Sequence, residues 1–399
     1  MRAWQYNPGD YTVDAAMESF PVVPLSLYVH VPWCIRKCPY CDFNSHPLRD
    51  TLPENEYIDA LLRDLESELP RIWGRRISSI FIGGGTPSLL SGNAVQRLVQ
   101  GLRSRLALLP GCEITLEANP GASDNQRFAA YREAGINRLS IGVQSFDDDK
   151  LRTLGRIHCA DDAHRAIEAA GTAGFDNLNL DLMFGLPEQV VDEALADIRT
   201  ALAYRSTHLS LYQLTIEPNT EFANRPPSVA DDDTLWDMQQ ALFTELAVAG
   251  FQNYEVSAWA LPGRQCQHNL NYWQFGDYLG IGAGAHSKLT SPGTIRRFAR
   301  RRHPRDYMET AGSVQCTTES RTLNRADLCF EFMLNSLRLA NGFTISGFEH
   351  YTGLGQSEIE QPLRQAVDRG WLEYSDDDHV RPTETGRRFL NDVIALFLE

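Results

Sequence analysis

The sequence has no apolar run long enough to span a bilayer, no low-complexity tract, and no internal repeat beyond a β-α unit. The first absence excludes a transmembrane helix. Residues 1–11 lack the charged-then-apolar pattern of a secretory signal, so a cytoplasmic location is expected. Basic residues are also in deficit. Lysine and arginine number 37 against 52 aspartates and glutamates, a formal net charge of −15. Polyanions are held by a basic surface, so nucleic acid is not an expected partner. Cysteine is sparse: eight in 399 residues, five of them isolated along the chain. In a reducing compartment isolated cysteines are small buried hydrophobes, and no disulfide framework is expected.

What is present is a repeating pattern. Residues 1–24 carry Pro8, Gly9, Pro21 and Pro24 and read as an irregular leader. From residue 25, short β-branched and aliphatic runs (25–31, 77–82, 113–117, 138–143, 177–183 and 208–214) alternate with stretches of helical period (54–69, 93–106, 125–134, 160–173, 190–204 and 231–249). Six such units require parallel strands joined by right-handed crossovers. The expected fold is therefore α/β, a partial (β/α)6 TIM-like barrel over 25–260 with its site at the carboxyl ends of the strands. Residues 261–322 show no clear period and read as a connecting segment. Helical period resumes at 323–399, with a short strand-like run at 371–374 and a closing helix at 385–397. That part reads as a small helical, winged-helix-like domain.

The other three cysteines are clustered in Val31-Pro-Trp-Cys-Ile-Arg-Lys-Cys-Pro-Tyr-Cys-Asp-Phe-Asn44, directly after the first strand, as Cys34-x3-Cys38-x2-Cys41. Thiolates suit iron–sulfur clusters or zinc. A closed zinc site takes four protein ligands, and here only His46 is near enough to be a fourth. Three ligands on a four-iron cluster leave one iron open to a small-molecule ligand. The segment Phe81-Ile-Gly-Gly-Gly-Thr-Pro87 ends the second strand, where glycines let backbone approach a ligand. Glu117, Gln144 and Asp181 stand at three further strand ends. Polar groups buried there cost roughly 2–7 kcal/mol each unless partnered, so one shared ligand accounts for all three.

The cysteine loop resembles the signature of the radical S-adenosylmethionine superfamily, and the Gly83–Pro87 run resembles its coproporphyrinogen oxidase-like branch. The resemblance implies a 4Fe–4S cluster on Cys34, Cys38 and Cys41, with S-adenosyl-L-methionine on the open iron and cleaved there by an electron from an external donor. It also implies that Tyr40 lies near the adenine, and that Gly84, Gly85, Thr86 and Glu117 hold the methionine portion. Gln144 and Asp181 would bind the ribose and Arg156 the methionine carboxylate. Tyr28 matches a tyrosine of the branch. No side chain is assigned a catalytic role.

Within the branch, two features separate oxygen-independent coproporphyrinogen III oxidases from the related heme chaperones. Phe43 stands where the oxidases carry a further cysteine. His268-Asn-Leu-Asn-Tyr-Trp273 matches the HNxxYW pattern associated with the chaperones, which implies heme on His268; imidazole is a common axial ligand of heme iron. His286 is a weaker ligand candidate, and the role of Cys266 stays open. Phe275, Tyr278 and the glycine-rich run 280–287 suit a close-packed wall beside the cluster. The basic island from Arg296 to His303 reads as a solvated face, a propionate partner or a dock for an anionic surface. The expected function is heme delivery to acceptor hemoproteins, membrane-associated respiratory enzymes among them. The enzymatic alternative is the conversion of porphyrinogen propionates to vinyls.

Overall fold

Residues 25–31 alternate leucine and valine with serine, tyrosine and histidine, yet the strand they form, β1 (Leu25–Val31), is covered on both faces. That is the environment of a strand inside a parallel sheet. The computed structural model describes residues 23–121 and 124–398, so residues 1–22 of the expected leader lie outside the described residues. Five strands follow: β2 (Arg76–Gly84), β3 (Ala107–Ala118), β4 (Arg138–Gln144), β5 (Leu178–Phe184) and β6 (His208–Gln213). Each pairs in parallel with its predecessor. The intervening helices are α1 (Glu54–Glu68), α2 (Gly92–Arg103), α3 (Asp124–Ala134), α4 (Ala160–Thr172) and α5 (Val191–Ala203), with α6 (Asp232–Val248) after β6. Caps mark some starts: the Ser91 hydroxyl accepts from Ala94 N at 3.1 Å, and the Asp231 carboxylate accepts from Thr234 N at 2.8 Å.

Strand side chains alternate between faces. Leu27, Val29, Ile80, Ile82, Ile114, Leu116, Leu139 and Ile141 meet the helices and form the large apolar core. The row facing the lumen is polar: Ser26, Ser79, Thr115, Ser140, Asn179 and Ser210, all buried. These groups mostly satisfy one another. Ser26 and Ser79 share a hydrogen bond of 2.7 Å, Asn179 Nδ2 donates to Ser140 Oγ at 2.7 Å, and Ser210 Oγ donates to Asn179 Oδ1 at 3.1 Å. A hydrogen-bonded lumen differs from the aliphatic layers that fill a closed eight-stranded barrel.

The barrel is open. β6 is flanked by an antiparallel hairpin, β7 (Gln252–Glu255) and β8 (Ala258–Ala260), through β8. On the other side β1 pairs in parallel with β9 (Asp277–Ile281), which lies beyond the six expected units. β10 (His286–Ser291), β11 (Thr294–Arg300) and β12 (Thr317–Thr322) continue the same sheet, giving the order β12-β11-β10-β9-β1-β2-β3-β4-β5-β6-β8-β7. The aperiodic segment is thus largely sheet. Its strands read poorly because charged residues occupy inward positions with buried partners: Arg300 pairs with Asp64 and Glu68 at 2.8 Å, and Lys288 with Asp277 at 3.1 Å. The basic island is accordingly not one solvated face. Arg297 is engaged by Glu331 and Tyr278, and Arg300 is interior.

Between the hairpin and β9 runs a short helix, α7 (Gln267–Trp273), which packs against β1, β2 and β9 at the amino-end side of the lumen. The C-terminal part has a second core around Phe332, Phe348, Leu363 and Val380. Its helices, beginning with α8 (Arg325–Ser336), accompany a three-stranded antiparallel sheet of Phe343–Thr344, His379–Pro382 and Leu372–Tyr374. The expected closing helix is two, Glu384–Arg388 and Leu390–Ala395, broken at Phe389.

Candidate cofactor site

The cysteine loop is tied at both ends. His46 N donates to Pro32 O at 2.7 Å, Leu48 N to Cys34 O at 2.8 Å, and Phe222 N to Pro39 O at 3.0 Å. Asn44 Nδ2 donates to the carbonyls of Ala283 and Arg302, both at 2.9 Å, so the glycine-rich run does pack beside the loop. Cys34, Cys38 and Cys41 are free thiols, half-buried, lining one cavity of about 870 Å³. Burial pushes the Cys34 and Cys41 thiols up, and their neighbouring sulfurs add to it. Such thiols ionise when a metal compensates them. Among the described residues no three His, Cys, Asp or Glu side chains close on a single ion, whereas a cluster takes each thiolate on a different iron. His46 does not join them: its Nε2 lies 3.3 Å from Arg302 O, and its ring meets His303. The donor set therefore fits a cluster better than zinc.

The glycine run is forced by contact. At Gly84, φ is +117° and a Cβ would lie 2.8 Å from the His30 ring; at Gly85 it would lie 2.6 Å from Trp33 O. Gly84 N donates to Glu117 Oε2 at 3.0 Å. Burial, reinforced by Asp181, pushes the Glu117 carboxyl up to about 8. Thr86 donates to Cys34 Sγ at 3.5 Å and accepts from Asn119 Nδ2 at 3.0 Å. Arg156 Nη2 reaches Asn119 Oδ1 at 2.6 Å and Gly142 O at 2.8 Å, its Nη1 lies 3.8 Å from Cys38 Sγ, and its buried Nε has no partner. Gln144 adopts φ +69°, a left-handed conformation rare outside glycine that costs of order 1 kcal/mol and marks a constrained site. Asp181 is raised by burial, although Asn179 Nδ2 and Ser140 Oγ donate to it.

Eleven of the thirteen residues singled out from the sequence line this cavity: Cys34, Cys38, Cys41, Tyr40, Gly84, Gly85, Thr86, Glu117, Gln144, Arg156 and Asp181. Tyr28 and His268 do not. The Tyr28 hydroxyl is 2.9 Å from His30 Nδ1, and His30 Nε2 is 2.8 Å from Asn44 O, so Tyr28 braces the loop from beneath. His268 is closed in by Phe81, Tyr28 and Tyr272, with ring centroids 5.1, 6.3 and 5.1 Å away. Its Nδ1 is 3.2 Å from Ser79 Oγ, and its buried Nε2 has no partner. Burial pushes its pKa down to about 3, so the ring is neutral. Phe81 touches both the ring and the cavity. His286 lies outside the lining, and Cys266 is buried with Sγ 3.6 Å from Glu113 Oε1.

Sequence reading missed Asn119, Arg138, Asn179, Ser210 and Asn269, all of which line the cavity. Alternation of polar and apolar residues along β4, β5 and β6 was the available signal. Arg338, from just beyond α8, also reaches the lining, and only the tertiary fold places it there.

Residues 28–201 match the radical SAM superfamily, and residues 323–389 match the HemN C-terminal domain. The chain is 50% identical to the heme chaperone HemW of Escherichia coli (strain K12), over 94% of this chain and 98% of that one. It is 34% identical to the heme chaperone HemW of Mycobacterium tuberculosis, over 94% and 95%. Among solved structures it resembles coproporphyrinogen III oxidase (HemN) from Escherichia coli with a TM-score of 0.79 and 24% identity, covering 95% of this chain and 91% of that one. At that identity the likeness establishes the fold. No helix among the described residues is long and apolar enough to cross a membrane.

Proposed function

The chain belongs to the HemW family of radical SAM proteins, and on that premise we propose that it is a heme chaperone, loading heme and passing it to acceptor hemoproteins, membrane-associated respiratory enzymes among them. Cys34, Cys38 and Cys41 would hold the cluster. When bound, it supplies the electron, received from an external donor, that cleaves S-adenosylmethionine. Arg156 holds the methionine carboxylate, Glu117 and the Gly84–Thr86 turn its amino group, Gln144 and Asp181 the ribose, and Tyr40 covers the adenine. Delivery of heme, not chemistry on it, is the main task.

The observation that carries this reading over the oxidase is Phe43. Its side chain lines the cavity mouth and is 59% exposed, where the oxidases present a further thiol. An exposed aromatic offers a porphyrin an apolar face and offers no proton or ligand. His268 would hold the heme iron through its unpartnered Nε2; the neutral ring is the ligating state. Phe81, which touches the ring and lines the cavity, is the side chain that must move.

The protein is purified anaerobically, its cluster rebuilt, and coproporphyrinogen III, S-adenosylmethionine and reductant added. No protoporphyrinogen is expected, and its formation would overturn the chaperone reading. Hemin titration is expected to give a Soret shift that His268→Ala weakens. An unchanged spectrum in the variant removes His268 as the ligand.

A further inference from the structure

The most unusual charge in the molecule is one that no motif contains. Arg138 opens β4 and is only 2% exposed, yet its guanidinium makes no hydrogen bond and no ion pair with any described residue. Burial disfavours its charge, but surrounding groups including Glu113 and Asp181 more than offset that and hold the guanidinium charged; what it lacks is a directed hydrogen-bond acceptor. Carboxylates stand near enough to act on it through space, but none hydrogen-bonds it, and each accepts from another donor. Glu113 Oε1 accepts from Gln267 N at 3.0 Å, Glu117 Oε2 accepts from Gly84 N, and Asp181 accepts from Asn179 and Ser140. The arginine lines the cavity, deep in the lumen and on the side of α7.

A second guanidinium enters the same cavity. Arg338 donates to Glu255 at 3.2 Å and stacks over the Trp273 ring at 4.3 Å, and its buried Nε is unpartnered. Asn269, beside His268, also lines this end. At about 870 Å³ the cavity lies in the upper part of the roughly 300–1,000 Å³ range of ligand sites. Guanidinium forks are suited to carboxylates.

We propose that the lumen is a carboxylate-binding chamber in which Arg138 takes one propionate of the porphyrin and Arg338 the other, so that heme enters the barrel carboxylate edge first. This rests on the heme reading above. The other carboxylate within reach of the cavity is that of methionine, for which Arg156 stands beside Cys38.

The test uses the full chain with its cluster rebuilt, titrated with hemin and with hemin dimethyl ester, whose propionates carry no charge. The wild-type protein is expected to bind hemin at least about tenfold more tightly than the ester, one charge-assisted contact. Arg138→Gln is expected to remove a large part of that preference, the contact to Arg338 keeping the rest, while leaving the ester and S-adenosylmethionine (by equilibrium dialysis) unchanged; Arg138→Lys keeps more of the preference. Equal binding of hemin and ester by the wild type overturns the proposal and leaves the heme reading standing. Binding of neither sinks both. A variant that loses S-adenosylmethionine while keeping its preference for hemin reassigns Arg138 to methionine and overturns the proposal. The wild-type comparison decides even if Arg138→Gln fails to fold.

Discussion

The cysteine loop and helix α7 carry the two motifs most visible in the sequence, and they sit in opposite surroundings. The loop is held by backbone hydrogen bonds while its thiols remain half-exposed to the cavity. The helix is held by its side chains: Tyr272 stacks on Tyr278 at 4.1 Å, Asn271 Nδ2 donates to Asp277 O at 2.8 Å, and His268 is 3% exposed. One motif is therefore presented by its scaffold. The other is part of the scaffold, closing the lumen on the amino-end side of the strands. Removing side chains from the loop should cost function and little stability, and removal from the helix should cost stability first.

The largest effect tests the loop. Cys38→Ala is expected to abolish the brown cluster absorbance and its iron entirely, with the fold intact by circular dichroism. Retention of four irons would break the comparison at its root, because the thiol would then be as structural as the helix.

On the helix, Tyr272→Ala removes a ring stacked between His268 and Tyr278. The ring is only partly buried, so the loss is expected at about 2 kcal/mol, below the roughly 3–5 of a fully buried aromatic, while the reconstituted cluster keeps its iron. Urea unfolding measures the loss. A change below about 0.5 kcal/mol, the range of surface substitutions, would show that α7 lies on the barrel without supporting it.

The contrast also explains what the sequence revealed. The six parallel strands were legible because apolar residues on their outer faces keep strict alternation, and the cysteines because spacing within a loop is preserved in space. Exposure was not legible. Nothing local in His268-Asn-Leu-Asn-Tyr-Trp273 tells that the histidine is enclosed while Asn269 reaches the cavity, since that depends on Ser79 and Phe81, almost two hundred positions earlier. Strands β10–β12 were illegible for a related reason. Their charged residues are paid for by partners such as Asp64 and Asp277, so the composition imitates a surface loop. Arg138 combined both difficulties, a charge at a strand start whose burial only the assembled lumen defines.

The smallest effect lies between the two regions, at Glu117. Its carboxyl, pushed up to about 8 by burial and by Asp181, is mostly protonated in the ligand-free protein at neutral pH. The folded state then holds a proton that the unfolded chain has released, so between the ordinary carboxylate range and pH 8 stability falls as pH rises. A cationic ligand reverses the balance, because the ammonium of methionine pairs with the ionised form. S-adenosylmethionine affinity should therefore climb about tenfold from pH 6 to pH 7 and about fivefold more to pH 8, in step with the ionised fraction of a group titrating near 8, and level off only above it. In Glu117→Gln binding should be weaker and flat over that interval. Dialysis at fixed ionic strength distinguishes the two. A wild-type profile already flat from pH 6 would mean that Glu117 is ionised before the ligand arrives. The open side of the lumen would then be pre-charged for its cation, while the closed side still holds a neutral imidazole.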